Sequence, residues 1–397
     1  MMHRRQFLAV AGCVSLMPVG RAAEPNETFD PASWLKKRNL GRLTTETPQS
    51  GKPLQPLQAK SLEEWKKERT LYEKALRELI GASPEKRPAL ETRVLEEKAL
   101  AKYTRFKVGF RSLPSKAEHA SEIRAWLLVP KNAKSPRPAI ITLHQTLPQG
   151  KDEPAGVKAS LPWMTFAAYY AERGYVTLAP DMIGYGERTA GGYERTGFEW
   201  ADAAPILEGD TDMTVLGLLL FDVTRCVDYL ETREEVDKER IGIVGHSLGG
   251  ILVNFVLGLV PRLRVGVASC GYGLFRKDEL FPERWAAKNS AYLPRLALYR
   301  KDADALPLDM LQIMALAAPR PHLVQTALGD AIWTKPAVSE NALVAKELIR
   351  VRSLYGKEAA DGFVSIEPGG GAKDKDHGWY PETQKAADSL FDKVLKP

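Results

Sequence analysis

Cysteine and histidine are scarce in this chain, at three and six among 397 residues. No cysteine/histidine group has the spacing of a metal site, so the sequence predicts no metal. Cys226 sits in a helical pattern and Cys270 just after a strand, both in apolar surroundings typical of buried thiols. That predicts free cysteines and excludes a disulfide framework. Charge of one sign never accumulates. Acids and bases are interspersed, the net charge is +6, and no basic run is long enough for a nucleic-acid patch. Past residue 22 no apolar stretch is long enough to span a membrane. Internal repeats and low-complexity tracts are missing, and nothing assigns an oligomeric state. What the chain does have is bulk: 44% hydrophobic residues, enough to bury a sizeable core.

The first 22 residues form a separate unit. Paired Arg4 and Arg5, an apolar segment from about Phe7 to Val19, and the small residues Gly20 and Ala22 follow the layout of an export signal. Arg-Arg followed by Phe7-Leu8 resembles the twin-arginine signals of bacteria, which predicts a periplasmic or secreted protein. Cutting after Ala22 takes the formal charge from +6 to +3. A lipoprotein cleavage box at Cys13 is the alternative, with only a short apolar run before it.

Residues 23–101 are expected to form an arm and a helical extension. "TTETPQSGKPLQP" has the composition of an extended segment. Ser61 and Glu64 then make a capping-box pattern, and Gly81 supplies a stop. Between them Trp65, Tyr72, Leu76 and Leu79 recur at helical spacing, so one face should pack on the rest of the protein.

From residue 102 to 397 the pattern changes. "YTRFKVGFRS" alternates, and "EIRAWLLVP" follows a polar turn, so an antiparallel hairpin opens this domain. Short apolar runs come next at 139–143, 175–180, 241–244, 264–269, 322–327 and 363–368. Helical patterns separate them, starting near Leu161, Thr214, Leu248, Pro307, Val338 and Pro381. Strands buried on both faces and alternating with helices imply an α/β fold, a mostly parallel sheet with helices on each side.

Within it, "IGIVGHSLGG" places a serine, Ser247, between a strand and a helix. A serine held at the tip of such a turn needs small neighbours, which Gly245 and Gly249 supply, and it faces the helix N-terminus. That is the context of a nucleophile. A serine also needs an adjacent base. Elimination among the six histidines leaves His377, in the loop before the last helix. The others fall in the leader (His3), the hairpin turn (His119), a strand (His322), the elbow itself (His246) and the loop after the 139–143 strand (His144). Asp330, a few residues past the strand before that of His377, is the expected orienting acid. Asp374 and Asp376 lie too close to His377 in sequence, and Asp302 and Asp304 are fallbacks. Two backbone N–H groups should hold a developing oxyanion: that of Leu248, and that of Thr146 or, second, Gln145.

With these residues in place, 102–397 resembles the α/β-hydrolase superfamily, and most closely its dienelactone-hydrolase-like and acetyl-xylan-esterase-like esterases. "IITLHQT", "ERGYVTLAPDMIGYGE", "GHSLGG", "APRPHLVQTALGD" and "DHGW" carry the resemblance, in the expected order. It implies an eight-stranded sheet, a Ser247–His377–Asp330 triad and no cofactor. Two departures stand out. Dienelactone hydrolases proper use a cysteine where this chain has Ser247, and Gln145 replaces a glycine that many relatives carry after the oxyanion-loop histidine.

The expected activity is that of an exported serine hydrolase of carboxylic esters acting through an acyl-enzyme. A peptidase of the same fold and a non-catalytic binding protein on that fold are the alternatives. General-base action needs a neutral imidazole, so activity is expected to fall on the acid side of about pH 6.5. The long segment after "APD" should lie over the C-terminal ends of the strands, where such folds bind ligands. Tyr185, Glu187, Arg188, Tyr272, Trp333 and Trp379, with Trp200, are the candidate pocket residues. Polar and aromatic groups together suit a small-molecule or carbohydrate ester as substrate.

Overall fold

The computed structural model describes residues 29–396 apart from 85, 132–135, 191–198, 209–210, 287–290, 327–329, 331, 334 and 368–376. The leader of residues 1–22, with its twin-arginine pair and Cys13, lies outside the described residues, as do Asp374 and Asp376.

Nine strands form one sheet: β1 (Arg93–Ala99), β2 (Tyr103–Arg111), β3 (Glu122–Pro130), β4 (Arg137–Leu143), β5 (Val176–Pro180), β6 (Val236–His246), β7 (Leu263–Ser269), β8 (His322–Gln325) and β9 (Phe363–Ile366). Their spatial order is β1-β2-β3-β5-β4-β6-β7-β8-β9. β1, β2, β3 and β5 pair antiparallel, whereas β5, β4, β6, β7, β8 and β9 run parallel. The expected hairpin is β2 with β3.

The sheet has nine strands where the resemblance implies eight. The extra strand, β1, lies in the segment read as extension, and all seven of its residues are exposed. Its place is set by backbone pairing with β2 and not by burial, so no apolar alternation announces it. From β4 the chain steps to β5 on one side and returns to β6 on the other. Such a reversal opens a crevice at the carboxyl ends of the strands. The loops after β4 and β6 begin at His144 and Ser247.

Side chains alternate between two cores. Ile141, Ile243 and Leu143 face the helices Val215–Glu231 and Leu248–Leu259. Ile140, Val244 and Val267 face Phe166–Glu172 and Pro381–Leu395. The helix Leu62–Ile80 joins the first core through Trp65, Tyr72, Leu76 and Leu79, all fully buried. Its start carries the expected Ser61 cap, but the returning bond of a capping box goes one residue further back, to Lys60 and not to Ser61. The Ser61 hydroxyl accepts from the Glu64 N–H at 3.2 Å, and Glu64 in turn accepts from the Lys60 N–H at 2.7 Å. The arm is tied down as well. Arg350 donates to the carbonyls of Ala59 and Leu57, both at 2.5 Å, and Phe29 packs on Trp200 with ring centres 4.4 Å apart.

Cys226 and Cys270 are both buried and free. Three histidines are buried too. For His322, at the start of β8, neither ring nitrogen has a hydrogen-bond partner. Burial, with Arg352 and Arg320 nearby, pushes its pKa well below the ordinary value, so it is neutral when folded. The unfolded chain takes up a proton at this histidine below about pH 6.5, which costs the folded state stability as pH falls. Replacing it with leucine removes that cost. The stability of His322→Leu relative to wild type should therefore rise by up to about 1.4 kcal/mol per pH unit below pH 6.5. Urea denaturation of both proteins between pH 7 and pH 5 measures this, and a difference that stays flat with pH contradicts it.

Candidate active site

β6 ends at His246, and Ser247 follows with φ +54° and ψ −118° before the helix Leu248–Leu259 begins. Positive φ at a non-glycine residue costs on the order of 1–3 kcal/mol and persists only where the surroundings enforce it. Here they do. The Ser247 N–H donates to the Ser269 carbonyl at 2.8 Å. A Cβ on Gly245 would lie 2.3 Å from the Gly249 backbone, and one on Gly249 would lie 2.3 Å from the Leu143 carbonyl. Only glycine lets strand and helix approach so closely. Ser247 itself stays half-exposed amid buried neighbours, beside the unpaired N–H groups of the helix start.

His377 and Asp330, 47 positions apart, meet. The His377 Nδ1 lies 2.7 Å from Asp330 Oδ2, and the other carboxylate oxygen accepts the Ile332 N–H at 2.8 Å. The Asp330 side chain is 1% exposed and that of His377 16%. His377 Nε2 is buried and without a hydrogen-bond partner. The His377 ring centre is 4.9 Å from that of His246, which brings the ring to the elbow. The fallback acids are engaged elsewhere: Asp302 pairs with Arg42 at the surface, and Asp304 sits 3.9 Å from Arg276.

A polar bracket that the sequence did not reveal holds these loops. His246 Nδ1 donates to Ser269 Oγ at 2.8 Å, and Ser269 donates to Gln325 Oε1 at 2.7 Å. The Thr383 hydroxyl donates to the same oxygen at 2.9 Å. Gln325 Nε2 donates to the Gly378 carbonyl at 2.9 Å and to Cys270 Sγ at 3.2 Å. Every donor and acceptor of that amide is used. A lone polar residue closing the apolar run "HLVQ" is the only sequence signal it leaves. Burial and the adjacent His377 keep His246 uncharged.

The loop after β4 is clamped through His144. Its Nδ1–H donates to the Gln145 carbonyl at 2.7 Å, and its Nε2 accepts the Met182 N–H at 3.0 Å. Burial lowers its pKa to about 4, which preserves that donor–acceptor pattern. The Gln145 side chain donates to both Glu153 oxygens at 3.0 Å. The Thr146 hydroxyl bonds to Tyr185, whose own hydroxyl donates to the buried Glu199. Tyr292 donates to the same Glu199 oxygen at 2.7 Å.

The candidate pocket residues are largely engaged with the protein. Tyr185 is fully buried. Glu187 contacts Lys151 at 2.8 Å and Lys107 at 3.3 Å. Arg188 is buried against Asp222 at 2.5 Å and donates to the Ala120 carbonyl at 2.9 Å. Tyr272 bonds to Asn341. Trp333 donates to the Cys270 carbonyl at 3.1 Å, and Trp379 to Gln384 at 2.9 Å. Five of these six are buried and Glu187 is partly exposed. Among the described residues, Cys270, Asp330 and His377 bring three metal-ligating atoms within 4.8 Å of one another. No helix among the described residues is long and apolar enough to cross a membrane.

Known proteins resemble this chain in sequence and in fold. A family model described as the alpha/beta hydrolase family matches residues 154–387. YtaP of Bacillus subtilis (strain 168), which carries the name hydrolase, is 26% identical over 306 residues, spanning 75% of this chain and 92% of that protein. The carbohydrate esterase MZ0003, from an unknown prokaryotic organism, is 28% identical over 124 residues, 29% of this chain and 28% of its own. The solved glucuronoyl esterase from Solibacter usitatus superposes with a TM-score of 0.64 at 19% identity, covering 89% of this chain and 99% of that one. With the family match spanning more than half its length, this chain belongs to the alpha/beta hydrolase family.

Proposed function

We propose that this protein is an exported serine esterase with Ser247 as nucleophile, His377 as general base and Asp330 as orienting acid. One arrangement carries the proposal: a serine forced to φ +54° at a strand-to-helix turn, and a histidine packed on the preceding elbow residue His246 whose Nδ1 is bonded to a buried carboxylate at 2.7 Å. With Nδ1–H donated to Asp330, Nε2 carries the lone pair and takes the Ser247 proton as Oγ attacks the ester carbonyl. The carboxylate stabilises the imidazolium that forms. The developing oxyanion is held by the N–H of Leu248 and that of Thr146 or Gln145. Imidazolium then protonates the leaving alcohol, and water releases the acyl group from Ser247 by the same route.

Carbohydrate esters are the proposed substrate class. The names of MZ0003, a carbohydrate esterase, and of the Solibacter glucuronoyl esterase support this class. Export rests on the leader of residues 1–22.

Replacing Ser247 with alanine should lower ester turnover by at least about 10⁴-fold while leaving the melting temperature near that of wild type. Turnover retained within tenfold would remove Ser247 from the role of nucleophile. A substrate panel separates the substrate classes: acetylated sugars and sugar-acid esters should have higher kcat/KM than long-chain acyl esters or peptides. A preference for long acyl chains or peptides overturns the carbohydrate assignment.

A further inference from the structure

Cys270 leaves β7 with φ +51°, and its sulfur lies near the Asp330–His377 pair. Sγ lies 3.2 Å from Gln325 Nε2 and 3.7 Å from the Gly378 carbonyl. None of the proposed reaction steps uses it. Yet the sulfur, an Asp330 oxygen and a His377 ring nitrogen all lie within 4.8 Å of one another. Two of the three donors are already much closer, with Nδ1 and Oδ2 2.7 Å apart. A tetrahedral zinc ion, at about 2.3 Å from sulfur and about 2.0–2.2 Å from nitrogen and oxygen, spans donors roughly 3.2–3.8 Å apart. The cluster therefore reaches that geometry by small side-chain shifts. A mixed thiolate, imidazole and carboxylate set favours zinc over the hard cations Mg²⁺ and Ca²⁺.

We infer that Cys270, Asp330 and His377 form a binding site for a thiophilic divalent cation, Zn²⁺, and that occupying it switches off the reaction proposed above. The switch rests on that reading of the active site; the binding itself does not. Burial and the Asp330 carboxylate push the thiol pKa well up, so the free protein holds it protonated and one proton leaves as the sulfur takes the metal. At His377 the metal takes Nδ1, whose proton moves to Nε2. The ring remains neutral, but the lone pair that would accept the Ser247 proton is gone. No oxidation or reduction is involved. Among the described residues, the other titratable group facing the cluster is His246, whose ring packs on His377 and is kept neutral by burial.

The test uses the full chain, stripped with EDTA and titrated with Zn²⁺ by calorimetry in two buffers of different ionisation enthalpy. An ester assay on the same samples reads the switch. One ion per chain should bind with release of a proton, and activity should fall with Zn²⁺ and return with EDTA, while Mg²⁺ has no effect. Cys270→Ser, whose hydroxyl can still accept from Gln325 Nε2, should keep its esterase activity and need at least about 10-fold more Zn²⁺ for half-saturation and half-inhibition. Cys270→Ala, which removes a partner of the Gln325 amide, is read by calorimetry alone and should show the same loss of Zn²⁺ affinity. No calorimetric binding to wild type, or equal Zn²⁺ affinity in the cysteine variants, overturns the site. Binding that depends on Cys270 in a protein without ester turnover would uphold the site and reject the esterase reading instead.

Discussion

The contact of Gly249 with the carbonyl end of β4 is a close steric constraint at the site, and the rest of the arrangement depends on it. A methyl group there would lie 2.3 Å from the Leu143 carbonyl and 2.9 Å from that of His144. This approach brings the N-terminus of the Leu248–Leu259 helix against the loop of Gln145 and Thr146. Beside it Ser247 keeps the strained backbone conformation, φ +54°. A single steric fact therefore joins the serine, the helix N–H groups and the loop after β4. The strain is tolerated because β6 is buried between two parallel strands and anchored by two apolar cores.

A second layer fixes what that contact cannot reach. The His377 loop follows a short strand near the sheet's edge, where packing alone holds little. Gln325 ties it back with four hydrogen bonds, to Ser269, Thr383, Gly378 and Cys270. A buried amide left half-satisfied would cost about 1–3 kcal/mol per orphaned group, so the bracket either closes fully or destabilises the core. His144 does the same for the opposite loop. Both devices rely on histidines that burial holds neutral, so their donor–acceptor pattern does not change near neutral pH.

Much of this was legible in the residues. Alternating apolar runs located β4 to β9 because strands buried on both faces leave an unbroken hydrophobic signature. The cap at Ser61 and the stop at Gly81 are local signals, and they mark the helix Leu62–Ile80 as expected. His377 and Asp330 were reached by elimination and chain order, and they meet at 2.7 Å. β1 was not legible, since an exposed edge strand held by backbone pairing leaves no periodicity. Nor was the bracket around Gln325, because its partners come from four separate segments and no local pattern joins them. Arg188 and Tyr185 illustrate the converse: polar and aromatic residues in a loop over the sheet look like pocket residues, yet they are buried in an ion pair with Asp222 and a bond to Glu199.

In the proposed mechanism the strain at the elbow presents one serine as a nucleophile. Treating the folded wild-type protein with a fluorophosphonate, followed by proteolysis and mass spectrometry, tests it most directly. One phosphonyl group per chain, carried on Ser247, is the predicted result. An adduct on another residue, or no adduct on the folded protein, would contradict it.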